Sequence, residues 1–262
     1  MDLGLQGRRA LVMGASKGLG RSVADALAAE GVAIAISGRN QASLDRVAGE
    51  LKAAGAPKAV GITADVAEGA QMDRLADAAV AALGGVDILV LNHGGPPTCT
   101  ALEMKEEDLV TWFQRIVLSP IRIANRLLPA MRQQKWGRLI TIASTGVVQP
   151  LPGLALSNTL RSAIVGWNKT LATEIAGDGV TCNIIGPGAF ATDRTQETLA
   201  SASQKTGKSI DDLVTERSAT IPVGRFGEPK EFGPMGAFLA SAHASYITGR
   251  VHLVDGGVVR GV

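Results

Sequence analysis

The sequence is poor in the residues that build disulfide frameworks and metal centres. Its two cysteines, Cys99 and Cys182, lie far apart in the chain. That number and spacing fit a protein whose thiols stay reduced, so we expect a cytoplasmic location. The three histidines (His93, His243 and His252) are dispersed and do not form the ligand pattern that zinc requires. The sequence therefore predicts neither a disulfide framework nor a metal site.

Long hydrophobic runs and an excess of one charge are missing as well. The 262 residues contain 26 Lys and Arg against 24 Asp and Glu, a formal net charge of +2, and the cations are scattered. Such a chain lacks the basic patch that nucleic-acid binding needs. No apolar run reaches the length of a membrane span, and the first residues do not resemble a signal peptide. We expect neither a nucleic-acid nor a membrane partner.

Apolar runs rich in branched residues alternate with longer amphipathic stretches along nearly the whole chain. This alternation predicts an α/β fold, in which helices cover both faces of a parallel sheet. The length and the lack of an interior linker fit a single domain over residues 1–262, and the polar segment 193–220 is expected to form a mobile lid. The predicted strands are 10–13, 32–37, 59–63, 86–91, 139–143, 180–185 and 250–254, and the predicted helices are 19–30, 41–54, 69–83, 106–134 with a kink at Pro120, 156–176 and 229–240.

A glycine-rich stretch, Gly14-Ala15-Ser16-Lys17-Gly18-Leu19-Gly20, joins the first predicted strand to the first predicted helix. Glycines let the backbone turn sharply and approach an anion, and a helix start offers unpaired N–H groups and a positive dipole end. A strand, a glycine-rich turn and a helix in this order indicate a phosphate-binding loop. Ligands of parallel sheets bind beyond the carboxyl ends of the strands, so the loops after strands one, two, four, five and six are expected to converge on one crevice.

Further motifs follow the glycine loop in a fixed order. They are Asp65-Val66, Leu91-Asn92-His93-Gly94, Asn183-Ile184-Ile185-Gly186-Pro187-Gly188 with Thr192, Arg225-Phe226-Gly227-Glu228-Pro229, Tyr246-Ile247-Thr248-Gly249 and Asp255-Gly256-Gly257. With these motifs, almost the whole chain resembles the short-chain dehydrogenase/reductase family, and within it the 3-oxoacyl-[acyl-carrier-protein] reductases. The resemblance implies a single-domain Rossmann fold with a doubly wound, mostly parallel seven-stranded sheet. It also implies hydride transfer with a nicotinamide cofactor, and a homotetramer.

The resemblance assigns most of these positions to the cofactor. The glycine loop is similar to the family's cofactor loop, Asp65-Val66 matches the pair that contacts the adenine, and the segment from Asn183 to Thr192 resembles the one that holds the nicotinamide amide. The expected cofactor-binding residues are Gly14, Ser16, Lys17, Gly18, Leu19, Gly20, Arg39, Asp65, Val66, Asn92, Gly94, Arg161, Pro187, Gly188 and Thr192.

The residues after the second predicted strand indicate which cofactor is bound. A chain that binds NAD(H) would place a carboxylate there to bind the ribose 2′-hydroxyl. This chain has Ser37-Gly38-Arg39-Asn40, with an arginine and no acid, and Lys17 adds a second cation. A guanidinium pairs with phosphate through charge-assisted hydrogen bonds, so we expect NADP(H) rather than NAD(H).

The catalytic residues of the family are only partly present. Family members use a serine that hydrogen-bonds the carbonyl, a tyrosine that donates the proton, and a lysine that lowers the tyrosine pKa and holds the nicotinamide ribose. The serine is Ser144 here, but Ser157 occupies the tyrosine position and Arg161 the lysine position. Ile116 falls at the helical asparagine of the family's proton relay, and the only tyrosine, Tyr246, belongs to the C-terminal motifs. An aliphatic alcohol is a far weaker acid than a phenol, so Ser157 is not expected to donate the proton unaided.

These residues leave several functions open. In the first, the protein reduces a ketone or an acyl thioester; Ser144 and Ser157 orient the carbonyl, Arg161 stabilises the oxyanion, and water or the substrate supplies the proton. In the second, the protein binds NADP(H) as a sensor or partner subunit and has lost carbonyl reduction. In the third, an unrelated reaction uses the same cleft.

Two residues carry further alternatives. His93 lies beside the expected nicotinamide site and titrates near neutrality, so it is a candidate for the missing acid. A loop histidine bonded to the backbone is the competing interpretation, and it is the favoured one. The glycine loop also matches the Gly-x-Ser-x-Gly nucleophile elbow of serine hydrolases, with Ser16 as the nucleophile. An elbow after the first strand is out of order for that fold, so the hydrolase is the weakest alternative.

Overall fold

Seven short apolar segments form the strands of the protein in the computed structural model, which describes residues 2–261. Every strand pairs in parallel, in the spatial order third, second, first, fourth, fifth, sixth, seventh. The order reverses between the first and fourth strands, and this is where ligands bind in such sheets. The strands are β1 (Arg9–Val12), β2 (Ala33–Gly38), β3 (Ala59–Thr63), β4 (Ile88–Leu91), β5 (Gly137–Ile142), β6 (Val180–Pro187) and β7 (Val251–Val254).

Nine α-helices within residues 2–261 cover the two faces of this sheet. They are α1 (Gly18–Ala29), α2 (Gln41–Ala53), α3 (Gly69–Leu83), α4 (Glu106–Phe113), α5 (Ser119–Gln133), α6 (Ala155–Ile175), α7 (Asp193–Thr206), α8 (Ile210–Ala219) and α9 (Pro229–Ala240). Helices α1, α2 and α9 enclose one hydrophobic core, and α3, α5 and α6 enclose a second core on the opposite face. The predicted doubly wound Rossmann fold is therefore confirmed. Within the described residues, no helix is both long and apolar enough to span a bilayer.

The strand bounds differ from the predicted ones by at most two residues. Strand β4 shows why the strands can be recognised in the sequence. Its residues Ile-Leu-Val-Leu are buried at every position. A strand covered on both faces has such a continuous apolar run and no alternation. This pattern is strong enough to be recognised without any knowledge of the partner strands.

The helix predicted over residues 106–134 is interrupted in the structure. Helix α4 ends at Phe113, a π-helical turn spans Gln114–Leu118, and α5 begins at Ser119. The N–H of Ser119 donates to the carbonyl of Gln114, five residues earlier. Pro120 has no N–H and its ring crowds the carbonyl four residues earlier, so a wider turn relieves the contact. At the predicted kink, the structure has a π-helical turn that ends two residues before Pro120.

The segment predicted as a lid contains two helices, α7 and α8, which the sequence analysis did not predict. Thr192 caps α7 by accepting a hydrogen bond from the N–H of Thr195, and Ser209 caps α8 by accepting one from Asp212. Acidic residues in both first turns complement the helix dipoles. The helix caps and the acidic residues of the first turns thus explain part of the polarity of this segment. Its mobility stays a prediction.

Candidate cofactor and substrate site

The loops at the carboxyl ends of the strands converge on one cleft of about 620 Å³. The convergence that the strand order predicts is therefore present. Of the fifteen residues expected to bind the cofactor, only Gly20 does not line this cleft. The fourteen that do are Gly14, Ser16, Lys17, Gly18, Leu19, Arg39, Asp65, Val66, Asn92, Gly94, Arg161, Pro187, Gly188 and Thr192.

Asn92 fastens the end of β4 to the glycine loop. Its Nδ2 donates a hydrogen bond of 3.0 Å to the carbonyl of Gly14. Gly20 packs against this junction, because a Cβ there would lie 2.5 Å from Asn92 Nδ2 and 2.7 Å from the Gly14 carbonyl oxygen. Gly20 thus allows the close approach of α1 to the sheet, and it does so from outside the cleft.

Replacing Gly20 with alanine is expected to lower the free energy of unfolding by about 1–3 kcal/mol, because the added methyl group has no room. Gly49→Ala is the matched control, since Gly49 lies inside α2 and a Cβ there meets nothing within 4 Å. The control should raise stability by about 0.5–1 kcal/mol, as an exposed helical glycine does when replaced by alanine. Urea unfolding of both variants measures this. Equal stability of Gly20→Ala and the natural protein would contradict the packing role.

The start of α1 offers free donors to an anion. Lys17 is the N-cap residue and makes no side-chain capping bond, so the N–H groups of the first turn stay available. Gly18 has a positive φ of 65°, and a Cβ there would meet nothing nearer than a Thr192 methyl group at 4.0 Å. An open backbone with unpaired N–H groups at a helix start fits a diphosphate.

The two cations predicted to select NADP(H) differ in their surroundings. Lys17 Nζ lies 2.8 Å from Asp193 Oδ2, so its charge pairs with the first turn of α7. Arg39 is exposed at the end of β2 and has no ion-pair partner within residues 2–261. Its charge is near enough to Lys17 to act on the pKa of that lysine. Arg39 is therefore the free cation at this end of the cleft.

The three predicted catalytic residues differ in whether they reach the cleft. Arg161 lines the cleft, whereas Ser144 and Ser157 do not. Arg161 is 7% exposed and Ser157 is 9% exposed. The Nε of Arg161 donates to Ser157 Oγ at 3.2 Å, and its Nη1 donates to the carbonyl of Ile142 at 3.0 Å. Ser144 Oγ accepts a hydrogen bond of 3.0 Å from the N–H of Gly146.

These bonds leave one nitrogen of Arg161 available. Its Nη2 donates to no group in the described part of the chain, and no described carboxylate pairs with the guanidinium. Burial, and secondly the charge of Arg194, lower the pKa of Arg161 from 12.5 to about 10. The side chain is still charged at neutral pH. The cleft thus contains a buried cation that no described carboxylate neutralises.

Two further residues that the sequence analysis compared with the family pattern, Ile116 and Tyr246, do not line the cleft. Ile116 is fully buried and packs with Leu156 and Leu160 of α6. An apolar side chain at this position cannot relay a proton. Tyr246 is fully exposed and does not line the cleft. It therefore does not replace the missing tyrosine.

His93 lines the cleft and bonds to the backbone of its own loop. Its Nδ1 lies 2.8 Å from the carbonyl oxygen of Gly94, an acceptor, so Nδ1 is assigned the hydrogen. Burial, and secondly the charge of Arg161, lower the His93 pKa from 6.5 to about 3. The ring is neutral at working pH and its Nε2 is an acceptor. This arrangement favours the backbone-bonded histidine over a proton donor.

The depressed pKa gives a stability prediction. Because the folded pKa lies below the ordinary value, protonation favours the unfolded chain, and stability falls as the pH drops below about 6.5. Between pH 7.5 and pH 5, the natural protein should lose about 1–2 kcal/mol more than His93→Gln. Urea unfolding of both proteins at the two pH values measures the difference. The same loss in both proteins would mean that His93 titrates normally, and it would restore His93 as a candidate acid.

The serine hydrolase gains no support from the geometry. Ser16 Oγ hydrogen-bonds to no histidine or carboxylate in the described residues. It lies instead beside Gly38 at the end of β2. The cleft also contains two arginines that the sequence analysis did not select, Arg115 and Arg194. No motif marks them, because one follows α4 in the π-helical turn and the other lies in the polar lid.

Comparison with known proteins places the chain in a class. A family model described as Enoyl-(Acyl carrier protein) reductase matches residues 14–259. With this match and the Rossmann cleft, the chain belongs to the short-chain dehydrogenase/reductase family of oxidoreductases.

Particular relatives cover nearly its full length. The L-2,3-butanediol dehydrogenase of Corynebacterium glutamicum is 34% identical over 255 residues, which are 95% of this chain and 98% of that protein. The 3-oxoacyl-[acyl-carrier-protein] reductase of Escherichia coli is 32% identical over 256 residues, with 98% and 99% covered. The crystal structure of L-sorbose reductase from Gluconobacter frateurii, complexed with NADPH and L-sorbose, superposes with a TM-score of 0.94 at 30% identity over all of both chains.

Proposed function

We propose that this protein is an NADP(H)-dependent reductase that converts the carbonyl group of a ketone or an acyl thioester to an alcohol, with Arg161 stabilising the developing negative charge on oxygen. The observation that carries the proposal is the buried guanidinium of Arg161, which lines the cofactor cleft without a carboxylate partner. A buried charge without a partner is unfavourable for the fold. Its presence at the reacting end of the cleft supports a role in function.

The cofactor is NADP(H). The uncapped start of α1 and the open backbone at Gly18 suit the diphosphate, and Arg39 suits the 2′-phosphate. The relative from Gluconobacter frateurii was solved with NADPH, and a gluconate 5-dehydrogenase from Beutenbergia cavernae, 31% identical with a TM-score of 0.89, was solved with NADP. The bound cofactor supplies the hydride that the carbonyl carbon receives.

The chain's own residues stabilise and orient the carbonyl. Arg161 Nη2, which has no partner in the described residues, donates to the carbonyl oxygen and holds the charge that develops there. Ser157 is a positioning residue, because its Oγ accepts from Arg161 Nε and it lies behind Arg161 and away from the cleft wall. The Oγ of Ser144 accepts from a backbone N–H, and Ser144, like Ser157, does not line the cleft, so we assign the contact with the carbonyl oxygen to Arg161 alone. A water molecule from the open cleft supplies the proton, and the hydroxide that it leaves passes to the solvent buffer.

The remaining expectations are proposals of the same kind. We assign a single domain with a substrate lid over residues 193–220, a cytoplasmic location and a homotetramer. Support for the tetramer comes from α4, which buries none of its own residues and exposes Val110 and Phe113. An amphipathic helix with an exposed apolar side is typical of a surface that another subunit covers.

The test is NADPH oxidation by the natural protein over a panel of ketones and 3-oxoacyl thioesters, with NADH in parallel. The proposal expects carbonyl-dependent oxidation of NADPH, and slower oxidation of NADH. Tight NADPH binding without turnover of any carbonyl compound would overturn the reductase and leave the sensor or partner subunit.

A further inference from the structure

Two arginines from different helices line the same cleft. Arg161 belongs to α6 and Arg194 to the first turn of α7, and both line the cleft. After burial, the charge of Arg194 is the second cause that lowers the pKa of Arg161, so the two guanidinium groups repel each other. An anion bound in this cleft would be attracted by both charges.

The acidic side chains nearby do not neutralise this pair. Asp193 is engaged by Lys17 at 2.8 Å. Glu197 lies 3.6 Å from Arg194 Nη1, and it gives Arg161 no partner. Arg115 also lines this cleft, and since His93 is neutral, the three arginines have Glu197 as their only ion-pair partner in the described residues.

Arg194 is held in place by contacts that do not engage all of its hydrogen-bond donors. Its Nη2 donates to the carbonyl of Pro96 at 2.9 Å, which joins α7 to the loop after β4. The side chain is about half exposed, so the rest of the guanidinium is accessible from the cleft. The bond to Pro96 and the ion pair with Glu197 hold the guanidinium at the cleft, and its remaining donors are suited to bind a carboxylate or a phosphate.

We propose that the substrate carries an anionic group, a carboxylate or a phosphate, close to the carbonyl that is reduced, and that Arg194 binds this group. The inference rests on the proposed reductase function, since Arg161 contacts the carbonyl oxygen of the same substrate. Arg194 then determines specificity, and the anion removes the repulsion between the two arginines. A 2-oxo acid is the simplest compound with both groups in reach.

The experiment compares kcat/KM for matched anionic and neutral substrates. The pairs are short and long 2-oxo acids with their methyl esters, and dihydroxyacetone phosphate with dihydroxyacetone. The natural protein should prefer the anionic member of a pair by about tenfold to a hundredfold, and Arg194→Gln should remove most of that preference. Arg217→Gln is the matched control, because Arg217 is exposed on α8 and does not line the cleft. This control should keep the preference.

A preference for the 2-oxo acids would show that the anionic group of the substrate is a carboxylate. A preference for dihydroxyacetone phosphate would show that it is a phosphate. Equal turnover of anionic and neutral partners would overturn the inference while leaving carbonyl reduction established. An anionic preference that survives in Arg194→Gln would overturn the role of Arg194.

A binding measurement separates this inference from the proposed function. Oxamate, an unreactive analogue of a 2-oxo acid, is titrated calorimetrically into the NADP⁺-loaded protein, with neutral oxamide as its control. Saturable oxamate binding that weakens about tenfold or more in Arg194→Gln supports the anion site even where no carbonyl compound is reduced. Oxamate binding no tighter than that of oxamide, together with no anionic preference in turnover, would contradict it.

Discussion

Replacing Arg161 with methionine is expected to lower kcat for carbonyl reduction by roughly 10²–10³-fold, the loss that follows removal of one oxyanion donor. Methionine keeps the bulk of the side chain and removes the charge. The variant also loses the donors to Ser157 Oγ and to the carbonyl of Ile142, but it no longer buries a charge. These opposing effects should leave the stability of the fold close to natural. NADPH affinity should stay within about tenfold of natural, because the free nitrogen of Arg161 is assigned to the substrate carbonyl and not to the cofactor.

Arg138 provides the matched control for this variant. It is buried as deeply as Arg161, at 2% exposed, and burial likewise lowers its pKa to about 10. Its guanidinium donates to backbone carbonyls, including that of Ser241, and it does not line the cleft. Arg138→Met should therefore affect stability and leave kcat of the folded protein within about threefold. A similar kcat in natural protein and Arg161→Met would make Arg161 a structural residue only.

Arg39→Ala is expected to raise the Kd for NADPH by about tenfold to a hundredfold and to leave the Kd for NADH nearly unchanged. The reason is that a charge-assisted hydrogen bond to the 2′-phosphate contributes about 1.5–3 kcal/mol, and only NADPH has that phosphate. Lys17 cannot fully compensate, because its charge is paired with Asp193. Fluorescence titration of both cofactors measures the two constants.

The control for Arg39 is Arg74→Ala. Arg74 is exposed on α3, outside the cleft, so its loss changes the net charge equally without touching the cofactor site. It should leave both Kd values unchanged. Unchanged NADPH binding by Arg39→Ala, or equal affinity of the natural protein for NADPH and NADH, would contradict the assignment.

The parts of this protein that the sequence predicts are those encoded locally. Strand β4 is a continuous apolar run, and the glycine loop is a strand, turn and helix within a few residues. Both patterns favour the local structure that is found, whereas the seven-stranded doubly wound sheet and the cofactor-lining residues are expected from the family resemblance. Gly20 is the exception at the loop, because its contact with Asn92 joins residues distant in sequence.

The features that sequence reasoning missed depend on distant contacts. The sequence predicts that Ser157 orients the carbonyl, but in the structure Ser157 bonds to Arg161 and does not line the cleft. Arg194 reaches the cleft only because α7 folds across the loop that contains Pro96. The helices of the lid depend on caps at Thr192 and Ser209, which are short polar residues that occur equally often in loops. Such contacts become visible only in three dimensions.

The most direct test of the account compares NADPH consumption by the natural protein and by the double variant Ser157→Tyr with Arg161→Lys, over one panel of ketones, 2-oxo acids and 3-oxoacyl thioesters. The double variant places a tyrosine and a lysine at the two positions where the family resemblance expects them. The account predicts that the natural protein reduces at least one of these compounds, and that for its preferred substrate the double variant is no faster. Turnover by the double variant alone would contradict it, because ordinary carbonyl reduction would then have been lost at these two positions and Arg161 would support no reaction.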